Sequence, residues 1–120
     1  MNILIVDDSK AMRAIVMRAV KAAGFADATY REAGNGVEAL AAIRAQLPDL
    51  VLTDWNMPEM SGFELIKAVR AEGHPLKIGM VTSESDPALC EQARAAGALF
   101  LLAKPFSPEA VKALLLPVLS

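Results

Sequence analysis

The chain of 120 residues has one cysteine, one histidine, one tryptophan and one tyrosine. A lone Cys90 excludes an internal disulfide and makes a reducing cytoplasm the expected setting. With His74 it is the only soft ligand, which excludes a zinc site of usual composition. Charge of one sign is also missing: twelve basic against fourteen acidic residues leave a net charge of −2. That gives no electrostatic footprint for nucleic acid. No apolar run approaches a membrane span, and nothing after Met1 resembles a signal peptide. The expectation is one cytoplasmic domain over residues 1–120, with no linker, repeat or second domain.

What is present is apolar: 54% of residues are hydrophobic. Short runs stand at Ile3–Val6, Ala28–Tyr30, Leu50–Thr53, Ile78–Val81 and Leu99–Ala103, each followed by a helical pattern. Apolar runs alternating with helices predict an α/β protein with a parallel sheet covered on both faces. The punctuation agrees. Ser9 caps a helix to about Ala23, stopped by Gly24. Asn35 and Glu38 have capping-box spacing before a helix to about Gln46, ended by Pro48. A third helix begins near Gly62 and reaches about Ala71. Asp86-Pro87 and Ser107-Pro108 open the last two, with Gly97 closing the former and Pro117 limiting the latter. Val111, Leu114, Leu115, Val118 and Leu119 exceed one apolar stripe, so the last helix is either tightly docked or carries a partner or dimer surface.

The runs end on Asp7-Asp8, Arg31-Glu32, Asp54, Thr82-Ser83 and Lys104. In a parallel sheet all carboxyl ends lie on one edge, where ligands bind. Four of these endings would therefore share one pocket. Asp7, Asp8 and Asp54 repel one another without a cation, and magnesium, which prefers oxygen ligands, relieves this. An aspartate can act as nucleophile toward phosphorus, and such transfer depends on positioning and charge neutralisation. Lys104 supplies a second positive charge, and a hydroxyl of Thr82 or Ser83 can donate to a phosphoryl oxygen. Helix-start polarity would explain Asp7-Asp8 alone, but not the set in register.

Val6-Asp-Asp8, Asp54-Trp-Asn-Met-Pro-Glu-Met-Ser-Gly62, Met80-Val-Thr-Ser-Glu84 and Lys104-Pro-Phe106 together resemble the receiver domains of bacterial two-component response regulators, in particular the single-domain chemotaxis type. The resemblance spans essentially the whole chain. It implies a flavodoxin-like doubly wound sheet of order 2-1-3-4-5 with no output domain. It implies Asp54 as phosphoacceptor, with magnesium held by Asp7, Asp8, Asp54 and the backbone carbonyl of Asn56, Asp8 directly and Asp7 in part through water. Thr82 corresponds to the switch hydroxyl, Ser83 and Lys104 to phosphoryl contacts, and the Lys104-Pro105 bond to a cis peptide. The donor would be a phosphohistidine on a sensor kinase or phosphotransfer protein. The output would be a protein target bound through helix four, strand five and helix five, by a monomer or weak dimer. Catalysis would be confined to the protein's own phosphorylation and dephosphorylation. One position departs from the chemotaxis type: Leu101 stands where an aromatic switch residue is found, and Phe100 points to the opposite face.

Two other functions share this chemistry. A magnesium-dependent phosphohydrolase of the haloacid-dehalogenase kind also uses an aspartyl phosphate, but its nucleophile lies on the first strand in D-x-D form, against Val6-Asp7-Asp8-Ser9 here. A docking protein independent of phosphorylation would keep the pocket as a relic. Gly34–Ala39 matches a loose dinucleotide fingerprint, but it follows strand two rather than strand one, so a turn and helix cap is expected. Trp55 is expected to be a part-exposed neighbour of the acceptor. Met57 and Met60 should pack the loop, Pro58 and Gly62 should shape it, and His74 should be solvated. Asn56 and Glu84 flank the acceptor as solvated loop residues or tuners of attack by water.

Overall fold

Side chains along β1 (Asn2–Val6) alternate between two separate cores. Ile3 and Ile5 join one cluster, Leu4 and Val6 the other. This is the period-2 pattern of a strand buried on both faces. The computed structural model of the chain describes residues 1–55, 57–82, 87–104 and 106–119. Among these, β1 is joined by β2 (Thr29–Ala33), β3 (Leu50–Asp54), β4 (Lys77–Thr82) and β5 (Phe100–Ala103). All pairings are parallel, and the order is β2-β1-β3-β4-β5. The doubly wound, flavodoxin-like expectation holds.

The helices are α1 (Lys10–Val20), α2 (Gly36–Ala45), α3 (Gly62–Ala71), α4 (Pro87–Ala96) and α5 (Pro108–Leu119). α1 and α5 cover one sheet face through Val16, Val20, Val111 and Leu115. α2, α3 and α4 cover the other through Ala39, Leu40, Ile43, Leu65, Ile66, Val69 and Ala93. Removing one of the fully buried aliphatic side chains, such as Ile66, costs about 2–5 kcal/mol.

The capping signals act as expected. Ser9, Asn35 and Ser107 each accept an N–H three residues on, from Met12, Glu38 and Ala110. Ser61 adds a full capping box with Glu64. Gly24 and Gly97 adopt the positive φ expected of helix stops. Asp86 lies outside the described residues.

Three expectations need correction. Arg31 and Glu32 do not follow the second strand but lie inside it, since β2 runs to Ala33. β2 is an edge strand, where charged residues are tolerated. Arg31 donates to Asn2 Oδ1 and to the carbonyls of Ala42 and Gln46, so its charge is spent capping the end of α2. The first helix ends at Val20 and widens into a π-helical turn, Lys21–Phe25. Pro117 does not stop α5, which continues to Leu119. Pro117 and Ala113, four residues before it, are both exposed, so water can take the carbonyl bond that proline forfeits.

A glycine in mid-strand, Gly79, also has a specific cause. It pairs with Phe100, and a Cβ there would lie 2.1 Å from the Phe100 ring. The ring fills the space over the bare backbone, as expected where a strand glycine marks close approach.

Candidate functional site

Chain order reverses between β1 and β3, and a parallel sheet opens a crevice beyond its strand ends at such a point. Asp7 and Asp8 follow β1 on one side of it, and Asp54 ends β3 on the other. One carboxylate oxygen from each of the three lies within 4.8 Å of the others. β4 and β5 bring the remaining parts. Thr82 ends β4, one residue past the partner of Asp54, and Lys104 follows β5. The Lys104 N–H donates to the Thr82 carbonyl at 2.9 Å, which ties these two strand ends together.

The charges are organised around one ammonium. Lys104 Nζ is 3.5 Å from Asp7 Oδ2 and 3.4 Å from Asp54 Oδ1. Asp7 is the buried member, with its side chain 5% exposed against 13% for Asp54. Burial pushes the Asp7 carboxyl above its ordinary value, and the Asp54 charge adds to this. The Ser9 N–H, donating to Asp7 Oδ1 at 2.9 Å, and Lys104 work against it. Asp8 is exposed and Asp54 half-buried.

Three ionised carboxylates facing one ammonium leave two negative charges uncompensated among these groups. A pair of them at this separation repels by about 1 to 3.5 kcal/mol, for effective dielectrics between water and a protein surface. The cluster could hold a metal ion. Hard oxygen donors, partial access to water and an excess charge of two suit a small divalent cation such as magnesium.

Other residues hold this arrangement, Arg13 and Phe63 from outside the sequence motifs and Gly62 and Trp55 from within one. Arg13 donates from Nη1 to the Asp7 carbonyl at 2.7 Å and from Nε to Glu32 at 2.9 Å. It fixes the peptide that carries the buried carboxylate. The signal in sequence is a basic residue one turn inside α1, which is not distinctive. Gly62 opens α3 so close to the end of β3 that a Cβ would lie 2.1 Å from the Asp54 carbonyl oxygen. Trp55 donates its N–H to Asp54 Oδ1 at 2.9 Å, and its ring stacks on Phe63. Only the i, i+8 spacing of two aromatics hints at that contact.

The expected neighbours fall in place unevenly. Trp55, Met57, Met60 and Leu101 are part-buried and pack on the core that α2, α3 and α4 cover. Phe100 belongs to the opposite core, as alternation requires. Gly36 sits at the start of α2 against Met60, as a helix start rather than a phosphate cradle. His74 is less solvated than expected: its Nε2 lies 3.1 Å from Glu72 Oε1. Asn56, Ser83, Glu84 and Pro105 lie outside the described residues. No helix among the described residues is long and apolar enough to cross a membrane.

Comparison with known proteins agrees with this geometry. The family model described as response regulator receiver domain matches residues 3–116. The chemotaxis protein CheY1 of Helicobacter pylori strain J99 is 41% identical over 115 residues, covering 93% of this chain and 91% of the relative. The chemotaxis protein CheY of Pseudomonas aeruginosa is 38% identical over 114 residues, covering 93% and 90%. Among solved structures, the Vibrio cholerae chemotaxis protein CheY4 superposes with a TM-score of 0.87 at 38% identity, over 98% of both chains. Strand order, acidic crevice and sequence likeness converge: the chain belongs to the response regulator receiver domain family.

Proposed function

We propose that this protein is a chemotaxis-type or phosphorelay receiver, switched by phosphorylation of Asp54. The observation that carries this is Lys104 Nζ poised between Asp7 and Asp54, at 3.5 and 3.4 Å, with Asp8 completing the acidic crevice. A structural ion pair needs one carboxylate, whereas a site that receives a dianionic phosphoryl group needs cations on several sides.

In this mechanism an Asp54 carboxylate oxygen forms a bond to phosphorus as the phosphorus–nitrogen bond of a phosphohistidine breaks. The departing imidazole keeps that electron pair and takes a proton. Lys104 offsets charge on the arriving group, and the Thr82 hydroxyl, with Ser83, donates to its oxygens. Asp7, Asp8, Asp54 and the Asn56 carbonyl would hold magnesium, Asp8 most directly because it is the open member. When bound, the ion neutralises carboxylate and phosphoryl charge together.

The donor is a sensor histidine kinase or a histidine phosphotransfer protein. The output is a protein target recognised through α4, β5 and α5, by a monomer or weak dimer in the cytoplasm. The relatives are matched over about nine-tenths of their own length, so the likeness to chemotaxis proteins covers nearly the whole of each. Thr82 is joined to the end of β5 by the Lys104 N–H and lies five positions before Pro87, the first residue of α4, so a shift at Thr82 reaches that face. Leu101 has no hydroxyl to exchange, so the signal does not run through an aromatic switch at that position.

The test is intact mass after exposure to phosphoramidate, a small donor with a phosphorus–nitrogen bond, with magnesium or with EDTA. A single magnesium-dependent phosphoryl adduct, absent in Asp54→Asn, is expected. Multiple turnover of p-nitrophenyl phosphate would favour the phosphohydrolase instead. No adduct from any donor would leave docking without phosphate.

A further inference from the structure

We propose that Phe63 is a positioning residue for phosphoryl transfer, acting through Trp55 on Asp54; this rests on Asp54 being the acceptor. Asp54 Oδ1 accepts the Trp55 N–H at 2.9 Å, so the orientation of the carboxylate follows the backbone of residue 55. That backbone has left the sheet, because β3 pairing ends at Asp54 opposite Val81. Its support comes from α3 at two points. The Gly62 N–H donates to the Trp55 carbonyl at 2.9 Å. The next residue, Phe63, lays its ring on the indole, with centroids 5.5 Å apart and planes 21° from parallel.

A hydrogen bond at one peptide atom leaves rotation about that bond. A second contact through the ring removes it, and a flat offset stack resists sliding as well as separation. Lys67 extends the device. It lies one turn further along α3, with Nζ 5.2 Å from the Phe63 centroid, so a cation braces the ring that braces the indole. Trp55 also packs on the core beside Met57 and Met60. Lys67, Phe63, Trp55 and Asp54 thus form one continuous line of contacts from the surface of α3 to the reacting carboxylate. A nucleophile on such a support meets phosphorus in a fixed attitude, where a loosely held one would sample many.

The bland alternative is that Phe63 only fills space. Phe63→Leu separates the two, since leucine supplies much of the volume but no ring to stack. Phe63→Tyr keeps the ring and serves as the conservative rescue. The Trp55 amide proton, donated to a carboxylate, should be shifted downfield in a ¹H–¹⁵N spectrum, and Asp54→Asn identifies that signal. Fluorescence of Trp55, the sole tryptophan, reports the ring.

Phe63→Tyr should keep the amide shift, the emission and the wild-type rate of phosphoramidate labelling. Phe63→Leu should lose the shift and react more slowly on the order of tenfold, short of the hundredfold that a whole ångström costs. A Phe63→Leu protein with the wild-type amide shift and rate overturns the proposal. An unreactive wild type would overturn the acceptor assignment; the amide shift needs no donor and tells that failure apart from failure of the clamp.

Discussion

Gly62→Ala puts a methyl group where the structure has none to spare. The added Cβ would lie 2.1 Å from the Asp54 carbonyl oxygen and 3.1 Å from Met80 Sδ. Carbon–oxygen contacts in proteins run at about 3.3–3.6 Å. The start of α3 must therefore retreat from Asp54 by roughly one ångström. Helix propensity alone predicts the reverse, since alanine is better than glycine in a helix by about 1 kcal/mol. Overpacking costs about 1–3 kcal/mol, and weakening the Gly62 N–H to Trp55 carbonyl bond about 1 more. The net expectation is a loss of about 2 kcal/mol, or a Tm lowered by about 8 °C for a domain of this size. The functional loss should be larger, because a displacement of that order beside a nucleophile costs up to about a hundredfold in rate. Urea and thermal unfolding followed by circular dichroism measure the first effect, and phosphoramidate labelling the second. A variant more stable than wild type and equally reactive would refute the steric reasoning.

Arg70 donates to the carbonyls of His74, Leu76 and Gly97, joining the end of α3 to the segments that enter β4 and leave α4. Arg70→Ala should lower unfolding free energy by about 2–4 kcal/mol, and Arg70→Lys should recover less than half, because an ammonium cannot span three acceptors. Urea midpoints of the two variants check this. The raised Asp7 carboxyl fixes a sign for pH. The folded protein holds that proton more firmly than the unfolded chain, so from pH 3.8 upward its contribution erodes stability as pH rises through the folded value. Asp7→Asn should flatten that decline in EDTA, visible in unfolding midpoints across the acid range; an unchanged slope would place the titrating group elsewhere. Glu59 is the one described non-glycine residue with positive φ, at 68°. Glu59→Gly should stabilise the fold by about 0.5 kcal/mol, the relief of left-handed strain exceeding the entropy of a freer unfolded chain.

The strands that cross the middle of the sheet were legible because burial on both faces demands unbroken apolar runs. The run Ala28–Tyr30 marked β2 but not its end, because an edge strand can carry Arg31 and Glu32 once each finds a partner on a neighbouring element. Helix starts were legible at Ser9, Asn35 and Ser107, where the cap is a local three-residue contact. Pro117 misled for the opposite reason: its effect depends on which way the ring faces, and that is set by docking of α5 through Val111 and Leu115. The chemistry of the crevice was readable because the acids, hydroxyl and lysine fall at strand ends, and parallel topology alone gathers them. Gly62 was expected to shape the loop, but not to press on the Asp54 carbonyl, and Phe63 on Trp55 and Arg13 on the Asp7 carbonyl are contacts between elements that the sequence marks faintly or not at all.

The central claim is that Asp54 carries the phosphoryl group, and chemical mapping tests it most directly. Borohydride reduces an acyl phosphate to an alcohol, leaving a permanent mark on the residue that bore it. The protein would be labelled with phosphoramidate and magnesium, reduced, digested and mapped by peptide mass. The expected result is one reduced residue, Asp54, and none when magnesium is chelated. Reduction at Asp7 or Asp8, or a phosphoryl group that resists reduction because it sits on a hydroxyl, would contradict it.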